Sequence, residues 1–234
     1  MNILLTRSIE GNKEIIEEIA KYNTDNLSFH YIHCPLIEYK NLNLTPEILG
    51  NYHNIIITSK YAATILAKWQ KDYTINRKHS IWVVGEASKA ILERDGFIVK
   101  YAAKNVDDLI KHFPSRLYNQ AIYLSSNEIT CDLPPPIKRQ IIYNVKYLEQ
   151  LPLIELFKNN IDYILLYSQN SAKIFKKLLL QNHLSEVLQN SLVIAISLKV
   201  ANIIRPFFKN VVYCNNENSH TIINLLMHDA KIRN

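Results

Sequence analysis

Small hydroxyl and amide side chains, with a few charged ones, follow most of the strongly apolar segments of this chain. In an open parallel sheet, ligands bind beyond the carboxyl ends of the strands, where helix N-termini present unpaired backbone N–H groups. Hydroxyls, amides and free N–H groups hold carboxylates or phosphates without covalent chemistry. The alternative is that each serine only caps the helix that follows it. The residues at these positions are Arg7, Ser59, Lys60, Gly85, Glu86, Ser88, Ser125, Ser126, Asn127, Ser168, Gln169, Asn170, Ser171, Ser197 and Lys199.

Other chemistries are excluded by residue types and spacing. Four glycines stand far apart in 234 residues, so neither a Walker loop nor a dinucleotide fingerprint is present. Cys34, Cys131 and Cys214 form no C-x-x-C pair, which argues against a zinc site or a disulfide framework. No serine lies in a G-x-S-x-G elbow, and the histidines show no metal-ligand spacing. We therefore expect no metal ion and no nucleotide bound through either of these glycine-rich motifs.

The charge balance favours an anionic partner. There are 27 Lys and Arg against 21 Asp and Glu, which gives a formal charge of +6 and a pI near 9.0. A nucleic acid or a polycarboxylate would suit this surplus. The alternative is that the positive surplus only reflects a composition rich in Lys, Asn and Ile. The basic residues are scattered, and no run of five occurs. The sequence has no stripe of basic residues, and its aromatic residues are not interleaved with basic ones. Both observations argue against binding of nucleic acid.

The chain shows no membrane or export signal. No apolar window approaches the ~18 residues that a membrane span needs. The N-terminal residues lack the basic segment and apolar stretch of a signal peptide. We therefore expect a cytoplasmic protein with no membrane partner.

Short apolar, β-branched segments alternate with longer segments of helical period, which is typical of a parallel sheet flanked by helices. Their continuous apolar character predicts strands covered on both faces, and hence an α/β fold. Three consecutive prolines in Asp132–Pro136 predict a rigid loop. The predicted strands are Ile3–Thr6, Ile55–Thr58, Ile81–Val84, Phe97–Tyr101, Ile122–Leu124, Tyr163–Tyr167, Leu192–Ile196 and Val211–Cys214. The predicted helices are Glu14–Tyr22, Ala62–Trp69, Ser88–Leu92, Val106–His112, Ser171–Leu180 and Ser219–His228.

An internal repeat organises these elements. Ser59 and Ser168 end similar strands 109 residues apart, and Gly85 and Ser197 end the next pair 112 residues apart. Each copy of the repeat contains three strands, each followed by a helix. A strand–helix–strand unit accompanies each copy, one starting at Ile3 and one at Ile122. Each of these units ends in an alternating stretch, Leu27–Tyr39 in the first and Ile141–Leu148 in the second. The repeat predicts two like domains with a ligand site between them.

This pattern resembles the uroporphyrinogen-III synthase family over the whole chain. The order and spacing of several short motifs carry the resemblance. The matching residues are Ile3–Arg7, Ile57–Ser59 before Ala62-Ala63, Val83–Ser88 followed by Leu92 and Gly96-Phe97, Ile142–Val145, Tyr167-Ser168 and Ala195-Ile196.

The resemblance implies two similar α/β domains with parallel sheets flanked by helices, joined by a two-stranded β linker. One domain is then discontinuous, with residues 1–36 and 149–234, and the other spans 37–148. The alternating stretches Leu27–Tyr39 and Ile141–Leu148 become the linker strands. The repeat alone suggests instead a contiguous division near Pro114–Tyr118.

The resemblance also implies an enzyme that closes linear hydroxymethylbilane into uroporphyrinogen III in an interdomain cleft. Water is lost and ring D is inverted, without a cofactor. Tyr143 matches the family tyrosine that assists proton transfer; its alternative role is packing at the linker. The strand-end residues named above, apart from Ser125 and Ser171, become the candidate substrate contacts. Nothing in the sequence argues for an obligate partner, so a monomer is expected.

The chain departs from the family at several of these contacts. Ser197, Lys199 and Val200 stand where the family has glycine and threonine, and Lys60 and Gln169 replace prolines. Ser125-Ser126 lacks the family's glycine. These departures favour an alternative function, a non-catalytic two-domain ligand-binding or regulatory module for a polyanionic small molecule.

Overall fold

The apolar segments form two predominantly parallel sheets flanked by helices, which confirms the predicted α/β fold. The computed structural model describes residues 1–73, 75, 79–151, 157, 160–215 and 219–233. The strands are β1 (Asn2–Leu5), β2 (His30–His33), β3 (Ile37–Asn41), β4 (Asn54–Ile57), β5 (Ser80–Val84), β6 (Val99–Ala103), β7 (Ala121–Ser126), β8 (Lys138–Tyr147), β9 (Tyr163–Leu166), β10 (Leu192–Ala195) and β11 (Asn210–Tyr213).

Helices follow most of these strands. Several begin at a polar cap, as at Ser8, whose hydroxyl accepts a hydrogen bond from the Gly11 N–H. The α-helices are α1 (Ile9–Tyr22), α2 (Lys60–Tyr73), α3 (Glu86–Arg94), α4 (Val106–His112), α5 (Gln169–Gln181), α6 (Ser185–Leu188), α7 (Leu198–Ile204) and α8 (Ser219–Arg233). Short 3₁₀ helices span Pro46–Leu49, Ser115–Gln120 and Arg205–Phe207. None of the helices in the described ranges combines the length and the apolar composition of a membrane-spanning segment.

The chain divides into two compact units. Unit 1 comprises Met1–Glu38 and Lys146–Asn234, and unit 2 comprises Tyr39–Val145. The chain passes from one unit to the other within β3 and again within β8. These divisions lie two and three residues from the predicted boundaries at 36 and 148. The 3₁₀ helix Ser115–Gln120, near the contiguous alternative boundary, lies inside unit 2.

Each sheet has the same succession of strands. The unit 1 sheet has the order β11-β10-β9-β1-β2, and its neighbouring strands are parallel. The second sheet has the order β6-β5-β4-β7-β8, again parallel, with β3 added beside β8. Leu42 N donates to Ile142 O at 3.0 Å, and Leu148 N donates to Leu36 O at 3.0 Å. These opposed registers make β3 and β8 antiparallel.

Both faces of each sheet are buried, because successive strand residues pack into different cores. In unit 2, Ile55 and Ile57 join the cluster beneath α2 and α3, whereas Ile56 joins Trp82, Tyr123 and Phe113 on the other face. In unit 1, Leu4 and Ile3 likewise belong to separate clusters. The continuous apolar strands are therefore the ones covered on both sides, as predicted.

Three details of the prediction are wrong. Leu27–Tyr39 forms two strands instead of one, since residues 34–36 separate β2 from β3 and Pro35 has no N–H to continue a ladder. No helix lies between β7 and β8; residues 127–137 form a loop that contains the prolines. The strand predicted at Phe97 begins at Val99, because Gly96 at φ 85° and Phe97 still close the end of α3.

The Asp95 carboxylate joins the ends of α2 and α3. It lies 2.9 Å from Lys71 Nζ and 3.7 Å from the Arg94 guanidinium, with a side chain only 8% exposed. The hydrogen bond and the charge of Lys71 hold the pKa of Asp95 below its ordinary value, against the opposing effect of burial. The ion pair therefore stabilises the folded state while Asp95 is ionised.

We predict that Asp95→Asn lowers the urea midpoint of unfolding at pH 7. Because the folded-state pKa is depressed, this stabilisation is present above about pH 4, the unfolded value, and disappears as pH falls through the folded value. The difference between the variant and the parent should therefore shrink in acid. Asp72→Asn, at an exposed position of α2, is the matched control. A constant difference at all pH values would contradict this account.

Candidate functional site

The carboxyl ends of three neighbouring strands of unit 2 enclose a cavity of about 150 Å³. Thr58 and Ser59 follow β4, Ser125 and Ser126 end β7, and Tyr143 lies on β8, with Ser126 and Tyr143 paired in register. All five residues line the cavity. Hydroxyl groups from distant parts of the sequence are thus brought to one wall.

Tyr143 is held in place by a hydrogen bond and by the aromatic rings around it. Its Oη lies 2.9 Å from Ser59 Oγ, which in turn accepts a hydrogen bond from the Ala62 N–H at 3.1 Å. The residue is 4% exposed. Tyr61 and Tyr39 contact its ring in edge geometry, with centroids at 4.8 and 5.8 Å. The phenol hydroxyl is therefore fixed at the cavity by packing and by the helix cap.

A second phenol occupies the same wall. Tyr123 Oη lies 2.7 Å from Thr58 Oγ1, and the ring is buried. Burial raises the pKa of Tyr123, while the Thr58 hydrogen bond and the charge of Arg139 oppose the shift. Tyr123 therefore stays protonated at neutral pH and keeps its phenolic O–H for hydrogen bonding.

Arg139 of β8 organises the β7 end of the cavity. Its Nε donates to Ser125 Oγ at 3.0 Å, and its Nη2 donates to Ser126 O at 2.8 Å and to Asn127 O at 3.1 Å. Ser126 Oγ also donates to the carbonyl of Glu128. These bonds hold two backbone carbonyls and a serine hydroxyl in fixed positions.

The other predicted residues of unit 2 lie elsewhere along the same strand ends. Asn127 Oδ1 accepts from the Val145 N–H at 2.7 Å and so ties the β7 loop to β8. Gly85, at φ 86°, precedes α3 in a conformation that side chains rarely adopt. Lys60 and Glu86 are exposed, and neither lines the cavity. Ser88 is 2% exposed and faces the interior, so packing is its evident role.

Unit 1 presents its own strand ends. Ser168 caps α5 by accepting from the Ser171 N–H at 3.0 Å, as Ser59 caps α2 in unit 2. The capping alternative thus holds at both serines, and at Ser59 it coexists with the contact to Tyr143. Asn170 donates to Tyr147 Oη at 3.2 Å.

At the remaining positions of unit 1, Gln169 and Lys199 are exposed in the first turns of α5 and α7. Ser197 precedes α7 without a side-chain cap hydrogen bond. Arg7 follows β1, and its guanidinium lies over the ring of Tyr167, with Cζ 4.9 Å from the centroid. A cation and a group of hydroxyls and amides are therefore arranged at this edge.

Three residues of this region are not predicted from the sequence. Thr58 and Tyr123 fall within predicted strands, and Arg139 lies between the proline loop and the predicted linker strand Ile141–Leu148, so the sequence predicts none of the three as site residues. Alternation along β8 could not have placed Arg139 relative to Tyr143, because the register between β7 and β8 shifts between Ser125 and Ser126: Arg139 pairs with Tyr123, whereas Tyr143 pairs with Ser126. Among the described residues no group of three or more His, Cys, Asp or Glu is placed to hold a metal ion.

Comparison with known proteins identifies relatives over most of the chain. Residues 17–205 match the family model described as uroporphyrinogen-III synthase HemD. An uncharacterized protein of Rickettsia prowazekii (strain Madrid E) is 50% identical, over 99% of each chain. A uroporphyrinogen-III synthetase structure from Helicobacter pylori 26695 superposes with a TM-score of 0.59 at 19% identity, covering 85% of this chain and 92% of its own. A mutant uroporphyrinogen III synthase from the extremely thermophilic bacterium Thermus thermophilus has a TM-score of 0.52 at 12% identity, covering 100% of both chains.

We predict that Arg139→Met destabilises unit 2 by about 1–3 kcal/mol, because it removes charge-assisted hydrogen bonds to buried acceptors. The measurement is urea unfolding, with limited proteolysis to report release of the 127–131 loop. Lys138→Met, at the exposed neighbouring position of β8, should change stability by less than about 0.5 kcal/mol. Equal stability of the two variants would show that Arg139 does not hold the loop.

Proposed function

This chain belongs to the uroporphyrinogen-III synthase family, and we propose that it converts hydroxymethylbilane into uroporphyrinogen III. The reaction closes the linear tetrapyrrole with loss of water and inversion of ring D. It serves tetrapyrrole, porphyrin and heme biosynthesis. The match to the family model over residues 17–205 is the observation that carries the proposal.

The charge distribution supports a substrate with eight carboxylates. Unit 2 has 14 Lys and Arg against 9 Asp and Glu, whereas unit 1 has 13 against 12. The surplus thus belongs almost entirely to the unit that contains the hydroxyl-lined cavity. A polyanion is attracted to such a surface before any specific contact forms. The interdomain position of the substrate stays a prediction from the family resemblance.

The geometry around Tyr143 supports a role in the departure of water. The leaving hydroxyl group needs a proton, and Tyr143 Oη reaches the cavity with a second hydroxyl, Ser59 Oγ, at 2.9 Å. Donation from Tyr143 releases water and leaves an azafulvene cation. The phenolate recovers its proton when ring closure and rearrangement release one from the tetrapyrrole, so the step consumes no net proton.

Most of the rate acceleration then comes from holding the chain in a curled conformation. The azafulvene cation is reactive by itself, so the enzyme must direct it to the substituted α-carbon of ring D. Strand-end N–H groups, hydroxyls and cations are suited to fix the carboxylates for this purpose. Ser59, Ser126, Asn127, Ser168, Gln169, Asn170, Ser197, Lys60, Lys199, Gly85, Glu86 and Arg7 remain the proposed contacts.

The decisive experiment is isomer analysis of the product. Freshly prepared hydroxymethylbilane is incubated with the protein, and the oxidised porphyrins are separated. The proposal predicts the type III isomer, while incubation without protein gives the spontaneous type I isomer. Type I alone, with tight binding of the substrate, would support the non-catalytic binding module instead.

Tyr143→Phe should lower kcat about 10- to 100-fold without abolishing type III formation. The phenyl ring keeps the packing against Tyr39 and Tyr61, while the proton donor is lost. Tyr73→Phe, at an exposed position at the end of α2, is the control and should leave kcat unchanged. Activity below detection in a folded Tyr143→Phe protein would contradict the view that intrinsic reactivity completes the reaction.

A further inference from the structure

The side chain of Arg7 is unusually well confined for a cation at a strand end. It follows β1, whose residue Leu5 pairs with Leu165 of β9, so Arg7 and Tyr167 extend the same register. The Arg7 guanidinium lies over the Tyr167 ring at 4.9 Å, within the range of a cation–π contact. Its side chain is 30% exposed. One part of the cation is therefore packed while another part remains accessible.

Gly11, in the first turn of α1, also lies against the Arg7 side chain. A Cβ atom at Gly11 would lie 2.9 Å from Arg7 Nε and 3.0 Å from Arg7 Cβ. Non-bonded atoms essentially never lie this close to a Cβ atom, so an alanine would displace the arginine. Gly11 does not have a positive φ. Its backbone conformation therefore does not require glycine.

A glycine within a helix is unfavourable relative to alanine. This chain has only four glycines, and one of them occupies this position. The space that Gly11 leaves for Arg7 accounts for a choice that helix propensity opposes.

Glu14 is the acidic neighbour of this cation. Its Oε2 lies 4.0 Å from Arg7 Nη2, and its side chain is 45% exposed. A charge-assisted hydrogen bond is shorter, about 2.7–2.9 Å. An incoming carboxylate therefore competes with a long, solvent-screened ion pair.

We propose that Gly11 and Tyr167 are positioning residues that hold the Arg7 guanidinium ready to bind one carboxylate of the substrate. This inference rests on the proposed function. Gly11 provides the channel for the side chain, Tyr167 provides the surface on which the guanidinium lies, and Arg7 makes the contact. Holding the guanidinium in its binding position before the substrate arrives reduces the conformational entropy lost on binding.

Kinetics with hydroxymethylbilane test the proposal. Arg7→Ala should raise KM about tenfold or more, and Gly11→Ala should raise it about threefold to tenfold, with kcat nearly unchanged because the contact acts in ground and transition states alike. Added to Arg7→Ala, Gly11→Ala should have no further effect on KM. An equal effect of Gly11→Ala with and without Arg7 would overturn the proposal.

Two substitutions at Tyr167 distinguish the contribution of its ring to KM from that of its hydroxyl. Tyr167 Oη has no hydrogen-bond partner among the described residues, so Tyr167→Phe removes only the hydroxyl and should keep KM within twofold. Tyr167→Leu removes the ring and should raise KM like Gly11→Ala. A Tyr167→Phe variant as impaired as Tyr167→Leu would exclude the ring as the positioning surface.

A readout without substrate distinguishes failure of this inference from failure of the proposed function. The Arg7 Hε resonance in a ¹⁵N-labelled protein should show the upfield ring-current shift of a group over an aromatic face. Gly11→Ala and Tyr167→Leu should abolish the shift, and Tyr167→Phe should keep it. If these shifts hold while no type III isomer forms, only the proposed function fails. Type III formation with an unshifted Arg7 resonance in the parent protein would overturn the positioning.

Discussion

Parallel strand pairing is the constraint on which the candidate site depends. Because the strands of β6-β5-β4-β7-β8 run in one direction, every apolar segment delivers its next polar residues to the same edge. Ser59 and Tyr143 are 84 residues apart in sequence, yet their hydroxyls are 2.9 Å apart. Neither side chain needs a long loop to reach the other, so the positions of these hydroxyls are set by the rigid sheet.

The sequence predicts the α/β fold because its strongest signals are strands buried on both faces. Segments such as Ile55–Ile57 have no polar face, so each residue is apolar whichever core it joins. Alternating segments are harder to interpret. The alternation in Leu27–Tyr39 does not reveal that β2 joins the unit 1 sheet and β3 the other, since that choice depends on partner strands distant in sequence. The loop between β7 and β8 is irregular for a reason visible in the sequence, its prolines, although the strand–helix–strand pattern predicts a helix there.

The site was predictable where a strand end alone defines it, as at Ser59 and Ser126. It was not predictable where the register between strands decides the contact. Arg139 reaches Ser125 because β7 and β8 are neighbours, and Tyr123 meets Thr58 because β7 pairs with β4. At Ser88 the sequence predicts a site residue, but this hydroxyl, one turn into a helix, is buried in the core. In the sequence Gly11 is only one of four scattered glycines, because its proximity to Arg7 depends on how the chain turns from β1 into α1.

The central claim is that the carboxyl edge of each sheet binds the tetrapyrrole. Backbone amide hydrogen exchange, measured with and without uroporphyrinogen III under argon, tests it most directly. The account predicts slower exchange in the presence of the product at the residues after β4, β7, β9 and β10, including Ser59–Tyr61 and Ser168–Asn170. Slower exchange confined to the opposite edge, where β10 and β11 begin at Leu192 and Asn210, would contradict it.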